Sequence, residues 1–385
     1  VDQSKEQPSK PTVTYSASVA AILERKCQSC HRPGQVGPFP LITYEQARKH
    51  ARMIAEVVED RRMPPWHADP RYGKFRNDRR LTDQERATLL AWVKADAPEG
   101  APSRNQTPRT TSDDWTIGKP DVILTMPEPY QVAAEGTLPY QYFRVKTNFK
   151  HDVWIQAAEA RPGERSVVHH ILVQVDGEKE SPIGTSDAHG YLTVYVPGDA
   201  PSIFPPGTAK RIPAGADIVF QMHYTPTGTP KTDRSSLALI FAKTKPQFEA
   251  ITYGIAQTRF EIPPGAPDTR VESNFTVPKD IRLVSLFPHM HLRGKSFSYA
   301  VVFPDGTRET LLSVPAYDFA WQSVYRLAEP KRLPKGTRIE CEAHFDNSAG
   351  NPANPDPRKS VRWGPQTYEE MMIGYVDFAD VVGNK

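Results

Sequence analysis

The spacing of apolar residues changes once along the chain. Up to about Ala97 it is helical. Ser16–Lys26 carries Val19, Ile22 and Leu23 on one face, and Tyr44–Arg62 repeats Ala47, Ala51, Ile54, Ala55 and Val58 every three or four residues. Thr82–Ala95 predicts a third helix, with Thr82 as N-cap, Glu85 closing a capping box, and Leu89, Leu90 and Val93 on the buried side. Beyond Trp115 the apolar runs are short, β-branched or aromatic, and fenced by Pro and Gly. They include Val122–Thr125, Tyr142–Val145, Val153–Ala157, Ile171–Val175, Leu192–Val196, Ile218–Tyr224, Leu237–Phe241, Leu283–Phe287, Phe297–Phe303 and Arg338–Phe345. The pattern predicts a flexible polar tail over 1–13, a small all-α domain over 14–97 and a Pro/Ser/Thr-rich linker over 98–113. The remaining stretch is longer than one small sandwich needs. Two all-β sandwich domains of jelly-roll type are expected, 114–246 and 247–385, meeting near Thr244–Glu249.

Composition narrows the classes. Lys plus Arg number 48 against 45 Asp plus Glu, so the net charge of +3 is too near balance for a nucleic-acid binder, and no basic run suggests one. No apolar stretch approaches the ~18 residues that cross a bilayer, so no transmembrane segment is expected. Proline, at 38 of 385, is about twice its usual ~5%, which with 23 glycines favours strands and turns over a helical bundle. No secretory signal stands at Val1, which leaves the sequence cytosolic or already processed.

The cysteines choose between those compartments. Cys27-Gln28-Ser29-Cys30-His31 is a CxxCH run, in which two thiols can add to the vinyl groups of a c-type haem and the histidine becomes the proximal iron ligand. A zinc half-site would need a second ligand pair at ribbon-like spacing, and there is none. A thioredoxin-like motif would follow a strand, whereas Ser18–Lys26 reads as helix; a simple disulfide remains open. Three short helices around CxxCH are the layout of a small cytochrome c domain. Met63, stiffened by Pro64 and Pro65, is the favoured sixth ligand, with His67 the rival and Met53 assigned to core packing. Covalent haem attachment happens outside the cytoplasm, which implies a periplasmic or secreted bacterial protein whose export signal has been removed.

The histidines after the linker form two doublets. His289 and His291 are two apart at the end of a strand, so both can face one metal. His169 and His170 are adjacent and would point to opposite faces unless a bulge or strand end re-aims one. His223, on a third strand, can complete a three-imidazole site. Imidazole suits copper, zinc, iron or nickel, so the donors alone do not choose the metal. His50, His151, His189 and His344 read as ordinary polar side chains, and Cys341 as a buried small hydrophobe facing away from Glu340, Glu342 and His344.

Val167-Val168-His169-His170-Ile171, Gln221-Met222-His223-Tyr224, His289-Met290-His291 and Glu369-Glu370-Met371-Met372 occur in that order. In this the chain from about Trp115 onward resembles the copper type II, ascorbate-dependent monooxygenases, the family of peptidylglycine α-hydroxylating monooxygenase and dopamine β-monooxygenase. The resemblance implies that His169, His170 and His223 hold an electron-transfer copper, and that His289, His291 and Met371, with Met372 as neighbouring alternative, hold an oxygen-binding copper. It also implies that the two coppers face each other across a solvent-filled cleft between two sandwiches. In the peptide-hydroxylating branch an arginine, an asparagine and a tyrosine hold the substrate carboxylate. Tyr375 matches the tyrosine, but Phe287 and Ile373 stand in the other two places, which argues against a glycine-extended peptide. The disulfides of the animal enzymes also have no counterpart.

The expected function is therefore that of a monooxygenase hydroxylating a small organic substrate with O2. Its two coppers would draw electrons through the covalent haem c, from ascorbate or from a redox partner protein. The competing expectation is a periplasmic haem and copper electron-transfer or copper-handling protein without oxygenase activity.

Overall fold

The computed structural model describes residues 13–101, 115–176 and 191–381. Most of the tail, the linker from 102 onward and His189 lie outside them. The chain divides into two compact units, 1–66 with 79–113, and 67–78 with 114–385.

The first unit is helical. A π-helical turn over Tyr15–Val19, with Thr14 as its cap, runs into α1 (Ala20–Lys26), which ends at the CxxCH segment. The long helix expected over Tyr44–Arg62 is two, α2 (Tyr44–Lys49) and α3 (Ala51–Glu59), because His50 leaves helical geometry at φ −107°, ψ 11°. Its ring lies flat on Phe39, centres 3.7 Å apart. The fourth helix, α4 (Asp83–Lys94), starts at the Thr82/Glu85 capping box read from the sequence. Val19, Leu23, Leu89 and Trp92 are fully buried between these helices. Met53 corrects an expectation: it is 49% exposed, since the buried stripe of α3 runs through Ala51, Ile54 and Val58 and misses it.

Residues 67–78, which apolar spacing assigned to the helical block, belong to the β unit. Asp69 N–H donates to Ser313 O, Arg76 N–H to Arg326 O, and Asn77 Nδ2 to Val324 O, so the segment is hydrogen-bonded along the β unit.

The β unit is built on one nine-stranded sheet that passes through both expected sandwiches. Its first half runs Val122–Thr125, Ser236–Phe241, Val153–Arg161, Thr208–Ile212, with short Ser202–Ile203 also paired to Val153–Arg161; its second runs Phe248–Ala256, Ile373–Val381, Ile281–His289, Tyr325–Leu333. The halves join at a short parallel pairing, Phe248 opposite Thr208 and Glu249 opposite Ala209. A four-stranded sheet covers each half: Gln141–Lys146, Asp217–Tyr224, Val168–Asp176, Thr193–Tyr195 over the first, and Thr269–Thr276, Arg338–Phe345, Gly294–Val302, Arg308–Val314 over the second. Two face-to-face layers in each half match the expected sandwiches, but the shared sheet makes them one body. Arg338–Phe345 alternates as read, with Cys341 buried and His344 beside Asp268 and Glu342. Gly374 allows the sheets to close, since a Cβ there would overlap Cys341 Sγ. Among the described residues, no helix is long and apolar enough to cross a membrane.

Behind the joint lies a buried polar knot. Lys210, 5% exposed, donates to Tyr191 O at 2.6 Å and to Thr252, and lies 3.4 Å from Asp377 on the other half. Thr252 and Ser285 also donate to Asp377. Lys210→Met removes the cation and leaves the carboxylate enclosed, at a cost of about 3–5 kcal/mol in urea unfolding. Lys146→Met, which removes a pair to Asp217 from a 76% exposed lysine, is expected to cost less than about 1 kcal/mol in the same measurement.

Candidate functional site

The first histidine set depends on a fault in the sheet. His170 pairs opposite His223, but the ladder slips by one residue between Val168 and His170. His169 is therefore the extra residue of a bulge, and both neighbours turn to one side. His169 Nδ1 and His170 Nδ1 lie 3.1 Å apart, close to the ~3.3 Å edge of a tetrahedron with nitrogens at ~2.0 Å from a metal. One ligand nitrogen from each of His169, His170 and His223 falls within 4.8 Å of the others. His223 Nδ1 is buried and has no hydrogen-bond partner among the described residues. An orphaned lone pair in a three-imidazole cluster is what a metal would satisfy.

The second set sits where two strand ends meet. His289 pairs opposite Ile373, which brings the segment ending at Met371 alongside the one ending at His291. His289 Nδ1–H donates to Gln322 Oε1 at 2.7 Å, and His291 Nδ1–H donates to Glu369 O at 3.2 Å. Each bond fixes the tautomer that leaves Nε2 bare, and His291 Nε2 is buried without a partner. Glu370, fully buried, accepts the amide N–H of His291 at 2.8 Å and of Arg293 at 2.7 Å. Burial pushes its carboxyl up to about 8, while those two amides and the Arg293 guanidinium pull it down. Of the two methionines, Met371 lines the cavity beside His289, whereas Met372 is fully buried.

Burial also keeps the five imidazoles neutral, as metal ligands must be. It lowers His169 and His289 to about 4 and His223 to about 3. His170 and His291 are held well below the ordinary histidine value, with the neighbouring imidazoles adding to the burial.

Two aromatic rings stand between the sets. The Tyr140 ring lies 5.6 Å from His170, 5.1 Å from His223 and 6.4 Å from His291. Phe319 stacks on His169 at 4.9 Å and lies 6.0 Å from His291. The rings meet because the shared sheet draws the two halves together. Tyr140, Phe319 and Gln322 were invisible in the sequence: Tyr140 precedes a strand, and the other two come from one turn around the 3-10 helix Phe319–Trp321. Only their contacts reveal them.

Beside the two rings is a cavity of about 130 Å³, lined by His170, His289, Met371, Phe287, Ile373 and Tyr375 among others. No charged side chain lines it among the described residues. Phe287 stacks on Tyr375, ring centres 5.8 Å apart, and forms apolar wall there.

In the helical unit, Cys27 and Cys30 are not joined by a disulfide. Burial pushes the Cys27 thiol up to about 12. His31 Nδ1–H donates to Phe39 O at 3.0 Å, which leaves Nε2 for an iron. A Cβ at Gly37 would stand 2.7 Å from Cys30 O and 2.9 Å from His31 Nδ1, so only glycine allows the loop to fold this closely. Met63 shares this unit with His31, whereas His67 belongs to the β unit.

No family model and no curated protein matches the chain. Solved structures that overlap it include the major capsid protein P2 of bacteriophage PM2, at 11% identity, 69% of this chain, 98% of that one and a TM-score of 0.32. PNGF-II overlaps at 9% identity, 68% and 66% coverage, and a TM-score of 0.28. A putative secreted protein from Eubacterium rectale overlaps at 9% identity, 63% and 70% coverage, and a TM-score of 0.22. Overlaps this shallow carry no argument about function.

Gln322→Leu tests the tautomer assignment. Without its acceptor, His289 is free to turn or to carry its proton on Nε2. Metal affinity at the second set should fall about 10- to 100-fold in competitive chelator titrations, with the first set unchanged.

Proposed function

We propose that the chain is a haem-bearing copper monooxygenase, acting in the periplasm or after secretion, that hydroxylates a small neutral molecule. The observation that carries this reading is the pair of buried imidazole sets, with His223 Nδ1 and His291 Nε2 lacking a partner among the described residues, around one cavity with no charged side chain among its described lining. The overall reaction consumes substrate, O2, two electrons and two protons, and yields the alcohol and water. Bound copper would supply the one-electron chemistry and the activation of dioxygen.

The remaining roles fall to the chain. His169, His170 and His223 would hold one copper as an all-nitrogen set. His289, His291 and Met371 would hold the other, the thioether favouring Cu(I) and leaving a position open. Gln322 and the Glu369 carbonyl orient the second pair of rings, and Glu370 ties their strand end in place. The cavity sets the substrate: ~150 Å³ of apolar space takes up benzene, so about 130 Å³ suits one small ring or a short chain. Phe287 and Ile373 offer a carboxylate no counter-charge, so a glycine-extended peptide would bring in an unpaired anion.

Loaded with copper, the protein should hold two metals per chain and consume O2 with small neutral aromatic or aliphatic substrates, but not with a glycine-extended peptide. Met371→Ala should lower turnover at least 100-fold while the set at His169, His170 and His223 keeps its metal. Two coppers without O2 uptake across a panel of small alcohols, amides and phenethylamines would make it an electron-transfer or copper-handling protein instead.

The haem reading rests on Cys27, Cys30 and the His31 tautomer, with Met63 completing the iron. Haem should survive acid–acetone extraction and be lost in the Cys27→Ala, Cys30→Ala protein. As donor to the copper at His169, His170 and His223, it should be oxidised in anaerobic rapid mixing at a rate independent of protein concentration, and His170→Ala should abolish that phase. Haem that stays reduced while ascorbate alone drives turnover would limit it to serving another partner.

A further inference from the structure

A second cavity in the β unit, of about 170 Å³, backs onto the first. Val194 lines both, and Tyr191, a wall of the second, packs edge-on against Tyr375 and Phe287 of the first at 5.4 and 6.0 Å. Their chemistry is opposite. Three guanidinium groups, of Arg76, Arg282 and Arg326, line the second cavity. Arg326 is buried and spoken for, donating to Asp199 Oδ1 at 2.9 Å and Ala200 O at 2.8 Å. Asp377, the carboxylate lining the cavity, is engaged by Lys210, Thr252 and Ser285.

Arg76 and Arg282 meet no carboxylate among the described residues. Partial burial and the neighbouring Arg326 both disfavour the charge of Arg76. Arg282 stands over the Phe248 ring, 4.8 Å from its centre. Phe204, Phe248 and Tyr191 supply flat apolar walls. Two guanidinium groups held near a third, with no carboxylate of their own among the described residues, make a site that favours an anion. Guanidinium pairs carboxylate in a bidentate fork, and the volume holds about one ring.

We propose that this cavity binds a small organic anion, a carboxylate carried on a flat apolar body, held by Arg76 and Arg282 over the Phe248 ring. It uses none of the histidines and stands whether or not the copper reading does. Inorganic phosphate could satisfy the charges but would leave the aromatic walls unused.

The test is calorimetric titration of the full chain with benzoate, benzamide and inorganic phosphate. Benzoate should bind once per chain, with benzamide and phosphate each at least about tenfold weaker. Arg76→Gln and Arg282→Gln should each weaken benzoate about tenfold with unchanged thermal melting; both side chains are solvent-accessible, so folding should tolerate the changes. His289→Ala should leave benzoate binding unaltered, which separates this cavity from the histidine site. Benzoate binding that survives the double Arg76→Gln, Arg282→Gln change, or is lost in His289→Ala, would overturn the assignment. So would benzamide or phosphate binding as tightly as benzoate, or no benzoate binding up to about 10 mM.

Discussion

The two halves that carry the histidine sets are joined by the polar knot behind their seam and by an apolar cluster in which Leu172, Tyr191, Val194 and Val196 pack on Phe287, Val324, Ile373 and Tyr375. The parallel pairing of 208–209 with 248–249 is too short to hold two sandwiches by itself. Lys210 reaches across it to Thr252 and Asp377, and Arg326 reaches back to Asp199 and Ala200. Buried pairs of this kind add little net stability over apolar packing, because each charge gives up its water. They are demanding about position, however, since displacement leaves a charge enclosed and unpaired. The halves are thus held in one register, and Tyr140 and Phe319 can touch both sets.

Within that frame the site is arranged before any metal arrives. Burial removes the protons that would compete for the imidazole nitrogens. Hydrogen bonds from Nδ1 leave the Nε2 atoms of His289 and His291 bare, with the two ring centres 5.2 Å apart, and the bulge at His169 brings the first set together. A cluster of neutral rings with unsatisfied nitrogens is unfavourable for a merely structural core. Its persistence fits a ligand-binding role.

The two cavities share a wall but sort ligands by charge. One has no ionised group among its described lining residues, and Phe287 and Ile373 are part of its apolar wall. The other gathers three guanidinium groups, of which those of Arg76 and Arg282 meet no carboxylate among the described residues. Tyr191 and Val194 form the partition, so the anionic and neutral ligands would lie one side chain apart.

Much of this was legible in the linear chain. The CxxCH run, the capping box at Thr82 and Glu85, the alternation through Cys341 and the paired histidines are short-range patterns, set by neighbours within a few residues. The helix break at His50 and the solvent-facing Met53 were misread, because helical spacing alone does not show which stripe meets a neighbour. The strands Thr208–Ile212 and Phe248–Ala256 escaped notice although they carry the joint. By itself, the sequence determined which side chains could ligate a metal and which periods the backbone would follow. Tertiary structure alone decided that Tyr140, Phe319 and Gln322 attend those ligands, that Met371 rather than Met372 faces the cavity, and that Arg76 and Arg282 stand without carboxylates. These are contacts between segments tens to hundreds of residues apart, fixed by sheet register and packing, which no local pattern encodes.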